Sequence, residues 1–274
     1  MSVPAVPPSP IRPIRRPPGL WRLLSLPLLI FFALPIVALF LRAEPEELLA
    51  SLRDEQVGQA IGLSLRTTLI TVALTIMLGT PVAQLLSRPH IRFHRAIDTL
   101  VDLPTVLPPS VAGIALLLTF GRLGLLGGAL EAAGIRIAFT PLAVVMAQMF
   151  VAAPFYIKSA AIGFAGVDAE LKSAAMIDGA NAWQVFRSVV VPLSWTALVS
   201  GSVLTWARAL GEFGATILFA GNLVGQTQTM PLAIYLGFEI DLDTALTLSV
   251  ILIGLSFLSL IVVKALLPRE SDGG

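Results

Sequence analysis

The sequence predicts an all-α, polytopic membrane protein: six transmembrane helices, with a helix-turn-helix in one connection. Three observations predict it. Of the 274 residues, 56% are hydrophobic and only 13% are charged, whereas an average soluble domain is about 25% charged. Long runs at 23–41, 67–87, 103–121, 137–157, 188–207, 213–238 and 244–263 contain no Asp, Glu, Lys or Arg, and roughly 20 such residues cross a bilayer. Lys and Arg also concentrate in alternate connections, the pattern of multi-pass proteins. The same composition excludes other classes. A net charge of +1 gives no field for nucleic acid, and the absence of Cys removes disulfides, thiolate metal centres and thiol catalysis. No metal or cofactor is expected.

Taken in order, the first 19 residues hold seven prolines and three arginines, a composition that forms no core and predicts a disordered or polyproline-like tail. Run 23–41 exceeds the 7–15 apolar residues of a signal peptide and no clean A-x-A site follows, so it predicts a retained first helix. Run 67–87 is the second helix. His90 and His94 follow it; with Arg88, Arg92 and Arg95 beside them, they suit a lipid-headgroup contact better than a metal site. Run 103–121 is the third helix, interrupted near its start by Pro104, Pro108 and Pro109. Run 137–157 is the fourth, and 188–207 the fifth, continuing through 213–219. The stretch 221–231, GNLVGQTQTMP, carries too many amide and hydroxyl groups for lipid and reads as an external or re-entrant loop. Run 244–263 is the sixth helix. With both termini cytoplasmic, the inner segments hold Arg12, Arg15, Arg16, Arg22, Arg88, Arg92, Arg95, Lys158, Lys172, Arg187, Lys264 and Arg269, against Arg42, Arg53, Arg122 and Arg136 outside. The outer connections are acidic, with Glu44, Glu46, Glu47, Asp54 and Glu55 in one and Glu239, Asp241 and Asp243 in another.

The most informative connection is inner segment 166–192, GVDAELKSAAMIDGANAWQVFRSVVVP. Asp168 suits the N-cap of a short helix through Ile177, Gly179 a C-terminal turn, and Asn181 the cap of a second helix whose Trp183 and Phe186 share a face. Pro192 can begin the next membrane helix. Small Ala174 and Ala175 allow close approach, and Trp183 and Phe186 offer anchors to a partner groove. The competing reading is an amphipathic loop packed on its own bundle.

Ala174-Ala175, three residues, Gly179, nine residues and Val189-x-Val191-Pro192 resembles the EAA loop of ABC importer permeases, E-A-A-x3-G-x9-I-x-L-P. Ser173 stands where that pattern has Glu, and Val189 and Val191 where it has Ile and Leu. Stretches 103–113, LPTVLPPSVAG, and 208–235, RALGEFGATILFAGNLVGQTQTMPLAIY, resemble the molybdate branch of the molybdate, sulfate and thiosulfate importers. The likeness runs from about 64 to 262. It implies a type I importer-like permease: a tail at 1–19, a first helix and external loop at 20–59, a permease core at 60–268 with its coupling loop at 166–192, and a tail at 269–274. It further implies that Ser173, Ala174, Ala175, Asp178, Gly179, Ala180, Trp183, Phe186 and Pro192 form the surface that docks a separate ATPase. The other implied partners are a second copy of the chain, an extracytoplasmic oxyanion-binding protein and the lipid of the inner membrane. No G-x4-G-K-[ST] occurs, so the chain carries no phosphate cradle of that kind.

Path and gate candidates are polar or conformationally special residues of the spans. Arg208 and Glu212, four apart, either lock the helices in register or offer guanidinium donors to a passing dianion. Ser110, Ser200, Ser202, Thr205 and Thr216 could replace the water shell of an oxyanion, or simply pack between helices. Pro108 and its neighbours suit a hinge or a static kink, and Phe213 an apolar plug. Two other classes fare worse. An intramembrane serine enzyme needs a base, and both histidines lie in one inner loop. An ion-gradient transporter would want several buried carboxylates, and only Glu212 is well placed. Molybdate is the expected substrate, tungstate its expected companion, and sulfate or thiosulfate the alternative.

Overall fold

The computed structural model describes residues 19–88 and 92–266. The Pro-rich tail before residue 19, His90, Arg269 and the tail at 269–274 lie outside the described residues. The chain divides into two units, Met1–Arg42 and Ala43–Gly274. In the first, α1 (Gly19–Arg42) is a helix of 24 residues with Pro27 and Pro35 inside it; at about 1.5 Å per residue it is long enough to span.

The second unit holds α2 (Pro45–Ser51), α3 (Glu55–Leu86), α4 (His94–Val106), α5 (Pro109–Phe120), α6 (Gly127–Ala132) and α7 (Pro141–Ala165). After them come α8 (Ala169–Ile177), α9 (Ala182–Val185), a π-turn at Phe186–Val190, α10 (Val191–Leu193), α11 (Trp195–Leu210), α12 (Gly214–Phe219), α13 (Met230–Ile240) and α14 (Leu242–Leu266). No strand occurs among the described residues. Four helices, including α1, are long and apolar enough to cross a membrane, and the number is six if each of two bent pairs is one span.

Those bent pairs correct two of the expected rods. The third is split into α4 and α5, which meet at 114°. Leu107 and Pro108 are extended, at φ/ψ of −67/135 and −55/132. The cause is local: neither proline donates to the ladder, and a residue preceding proline is driven out of the helical region. The fifth is split twice. Residues 182–193 meet α11 at 73°, across Ser194, so Pro192 sits in a short turn before the bend and the span begins at Trp195. At the far end α11 stops at Leu210, and 214–219 is a separate helix, not a continuation. The Glu212 carboxylate accepts the Ala215 N–H at 2.8 Å, which satisfies an orphan donor and starts α12 afresh.

α7 lies at the centre, packed on α3, α11 and α12. Contact with α11 is made through backbone: a Cβ on Gly163 would stand 2.6 Å from the Ala197 Cβ, and one on Gly201 would stand 2.7 Å from the Ser159 Cβ. Ser159 Oγ donates to the Ala197 carbonyl at 2.7 Å across the same seam. Small residues and interhelical hydrogen bonds are what hold helices together where lipid removes the hydrophobic drive between them. Other links are Thr71 to Gln148 at 3.1 Å, Thr205 to the Ala152 carbonyl at 3.2 Å and Trp206 to Thr68 at 3.1 Å. Gly163→Ala is therefore expected to destabilise the protein by about 1–3 kcal/mol through overpacking, whereas Gly254→Ala, whose new Cβ would meet nothing within 4 Å, should not. Thermal unfolding in detergent checks the pair.

Stretch 221–231 is drawn into the protein. Thr227, Gln228 and Thr229 are buried, and the Met230 N–H donates to Ser64 Oγ on α3 at 2.7 Å, which anchors the start of α13. At the turn into α14, the Thr244 hydroxyl and the backbone N–H groups of Thr244 and Asp243 hold the Asp241 carboxyl below its ordinary range. Asp243, in turn, pushes the Glu47 carboxyl of α2 up by like-charge repulsion.

Candidate functional site

The hairpin after α7 follows its local signals closely. Asp168 caps α8 by accepting the Glu170 N–H at 2.9 Å. Asn181 and Gln184 cap α9 reciprocally, at 2.9 and 2.8 Å. Between them the Gly179 N–H reaches the Met176 carbonyl and the Ala180 N–H reaches the Ala175 carbonyl, the paired bonds of a Schellman turn. Gly179 takes φ +93 there, a conformation costly for any residue with a Cβ.

The hairpin has two faces. Ala175, Ala180, Phe186 and Val189 pack on a core of Tyr156, Ile157, Phe164, Val185 and Val190, and the Phe186 ring meets Phe164 edge-on at 5.5 Å. The outer face carries Ile177 at 85%, Trp183 at 66%, Met176 at 53% and Leu171 at 50% exposure. The two aromatics expected to act together thus divide: their rings lie 5.8 Å apart, yet Trp183 faces outward and Phe186 anchors the hairpin to the bundle. Ser173 is exposed, its hydroxyl returned to the Ala169 carbonyl at 2.9 Å, and Ala174 and Asp178 are exposed beside it. Leu171, Met176 and Ile177 were missed as surface residues because AELKSAAMI shows no clean apolar stripe.

A second group assembles from distant segments. The start of α5 abuts the start of α12, where a Cβ on Gly214 would lie 2.7 Å from the Pro109 Cβ. Pro108 and exposed Ser110 therefore stand near Glu212, Phe213 and Thr216. Glu212 is 1% exposed and pairs with Arg208 Nη1 at 2.9 Å. The pair bridges the end of α11 and the break after it, not two turns of one continuous helix. The Phe213 ring lies 5.3 Å from Tyr235. Thr216 is buried, its Oγ1 without a hydrogen-bond partner. Ser202 and Thr205 fall elsewhere. Ser202 bonds the Leu198 carbonyl of its own helix, and Thr205 bonds α7.

The third group was missed. Lys158, counted with the inner connections, lies inside α7, where its Nζ donates to Asp98 at 2.5 Å and Asp102 at 2.8 Å, both on α4. The visible signal was the i, i+4 spacing of the two aspartates. Ile97 and Val101 of α4 pack on the same core as the hairpin, and Lys172 Nζ ties α8 to the Phe164 carbonyl at 3.2 Å. Hairpin, α7 and the half-helix before the Leu107–Pro108 break form one packed body. Beside it an apolar cavity of about 380 Å³ opens between Thr75, Val101, Pro104, Phe150 and Ile157. His94 Nε2 lies 3.0 Å from the Leu86 carbonyl at the end of α3.

This fold is that of the membrane subunits of bacterial ABC importers. It matches a chain of an importer of the acidic polysaccharide alginate with TM-score 0.69 at 16% identity, covering 90% of this chain and 93% of that one. It matches a chain of the inward-facing methionine transporter MetNI with TM-score 0.59 at 19% identity, covering 77% and 96%. Residues 75–272 match the family described as binding-protein-dependent transport system inner membrane component, and the chain belongs to that family. Among its relatives, the molybdenum transport system permease protein ModB of Mycobacterium tuberculosis is 44% identical over 89% of this chain and 92% of its own length. ModB of Escherichia coli is 36% identical over 78% and 96%, and the molybdate/tungstate transport system permease protein WtpB of Thermococcus kodakarensis 35% over 70% and 74%.

Proposed function

We propose that the chain is the permease subunit of an ATP-driven importer of molybdate, with tungstate as a companion substrate, coupled through the hairpin at 166–192 to a separate ATPase. The observation that carries the coupling is the exposed apolar face of Leu171, Met176, Ile177 and Trp183 on a hairpin whose other face is fastened to the bundle core. Such a patch on a stiff support suits a partner groove, and a permease without a nucleotide cradle needs an outside source of work. The molybdenum-named relatives support the substrate.

In this reading two copies form the pore, both termini are cytoplasmic, and an extracytoplasmic binding protein delivers the dianion. ATP closes the ATPase pair and moves the hairpins. Motion passes through the shared core and the Lys158 ion pairs to α4, and so to the break at Leu107–Pro108. A rigid-body step at one end thereby changes the geometry where α5 meets α12. Pro108, Ser110, Phe213 and Thr216 would line or gate the passage, with the Arg208–Glu212 pair holding the break in α11 to one shape.

Reconstitution of the chain with its ATPase and binding protein tests this. ATP-dependent molybdate uptake that excess sulfate fails to compete away is the expected result. Uptake of sulfate without molybdate overturns the substrate, and molybdate uptake driven by a pH gradient in the absence of ATP overturns the class.

A further inference from the structure

Among the described residues, α3 carries Arg66, α7 carries Lys158 and α11 carries Arg208 in its last turn. Lys158 has two carboxylate partners and Arg208 has one. Arg66 has no ion pair and no side-chain hydrogen bond, and it is exposed. It is not at an end. α3 runs outward from it to Glu55, a rise of about 16 Å at 1.5 Å per residue. Its level relative to Arg208 follows from Thr68, which accepts from Trp206 Nε1 at 3.1 Å. Arg66 lies two residues outward from Thr68, as Arg208 lies two residues outward from Trp206 on antiparallel α11. The two arginines therefore stand at the same level, toward the end of the bundle opposite the hairpin.

Arg66 directly precedes the apolar run 67–87, so its guanidinium stands at the outer border of the span, where it faces water or an anion. Arg66 borders a cavity of about 420 Å³ that it shares with Glu55, Gly58, Gln59, Gly62, Leu63 and Gly225. At Gly58 and Gly62 a Cβ would meet nothing within 4 Å, so the helix surface beside the guanidinium is open floor. Gln59 Nε2 donates to Glu55 Oε1 at 3.0 Å, which occupies one oxygen of the carboxylate at the rim. Gly225, on the loop before α13, closes over Gln59.

We propose that this cleft is a transit site for the transported tetrahedral dianion, bound by the Arg66 guanidinium. Its planar fork of donors matches two oxygens of a tetrahedral oxyanion, in place of water. Glu55 at the rim opposes an anion and keeps residence short, as passage requires. The inference rests on the importer reading above and adds a residue to it.

The test uses the whole reconstituted importer. Arg66→Gln should lower molybdate uptake about tenfold or more, the scale of a lost charge-assisted hydrogen bond, with Arg66→Lys retaining more than Arg66→Gln. Both variants should keep the melting temperature of the parent protein. The chain has no Cys, so Gly62→Cys gives it a single thiol in the cleft. A membrane-impermeant charged thiol reagent should label it, and molybdate should slow the labelling when Arg66 is present but not when Arg66→Gln is added. No labelling would mean the cleft faces lipid and would overturn the proposal. Labelling indifferent to molybdate, or normal uptake by Arg66→Gln, would also overturn it. Absence of molybdate uptake by the parent importer would instead remove the importer reading itself.

Discussion

Lys158→Met is expected to abolish uptake while costing the isolated protein about 1–2 kcal/mol of stability. Removing one partner of a fully buried ion pair costs 3–5 kcal/mol, but Lys158, Asp98 and Asp102 keep 33%, 42% and 47% side-chain exposure, so solvent screening lowers the figure. The effect on transport is larger because the lysine is the polar fastening of α4 to α7. Without it two carboxylates one turn apart repel each other beside an apolar cavity, and α4 no longer follows α7 in the hairpin motion proposed above. Asp98→Asn and Asp102→Asn should each be mild, since either leaves the lysine a partner. Uptake and detergent melting curves on the three variants check this. Lys158→Met no worse than Asp98→Asn would show that the cluster transmits nothing.

Gly179→Asp is expected to abolish ATP-driven uptake with membrane insertion and bundle stability intact. At φ +93 a Cβ strains the turn by about 1–2 kcal/mol, and a carboxylate there adds negative charge at the C-terminal end of α8, beside Asp178, against the helix dipole. No atom lies within 4 Å of the new Cβ, so the cost is conformational. The Schellman turn reopens and α9 loses its direction relative to α8, which breaks up the exposed apolar face. Gly179→Ala, with the same strain and no charge, should fall between the parent and Gly179→Asp. ATP hydrolysis and uptake measured together check the effect. Full uptake by Gly179→Asp would remove the docking role of the hairpin.

Arg66 and Lys158 look alike in the sequence, each a single cation at the edge of an apolar run. A span with an Arg in it looks the same on paper whether a carboxylate on another helix answers it or not. Asp98 and Asp102 answer Lys158 only because α4 folds across α7, some 60 residues away in the chain. The hairpin was far more legible. Asp168, Gly179 and Asn181 act on backbone groups within three residues of themselves, so their chemistry fixes the turn wherever the chain lies.

Composition and apolar run length determined by themselves that this is a helical, multi-span membrane protein, because the bilayer demands about 20 apolar residues and internal hydrogen bonding whatever the topology. Caps and glycines determined the hairpin. Only the tertiary structure decided that two expected rods are broken, that Phe186 serves the bundle while Trp183 faces outward, that Pro109 meets Gly214, and which helix cations are answered. The reason is physical. Capping and span length are local or set by the solvent, whereas burial and charge pairing depend on which distant helix arrives alongside.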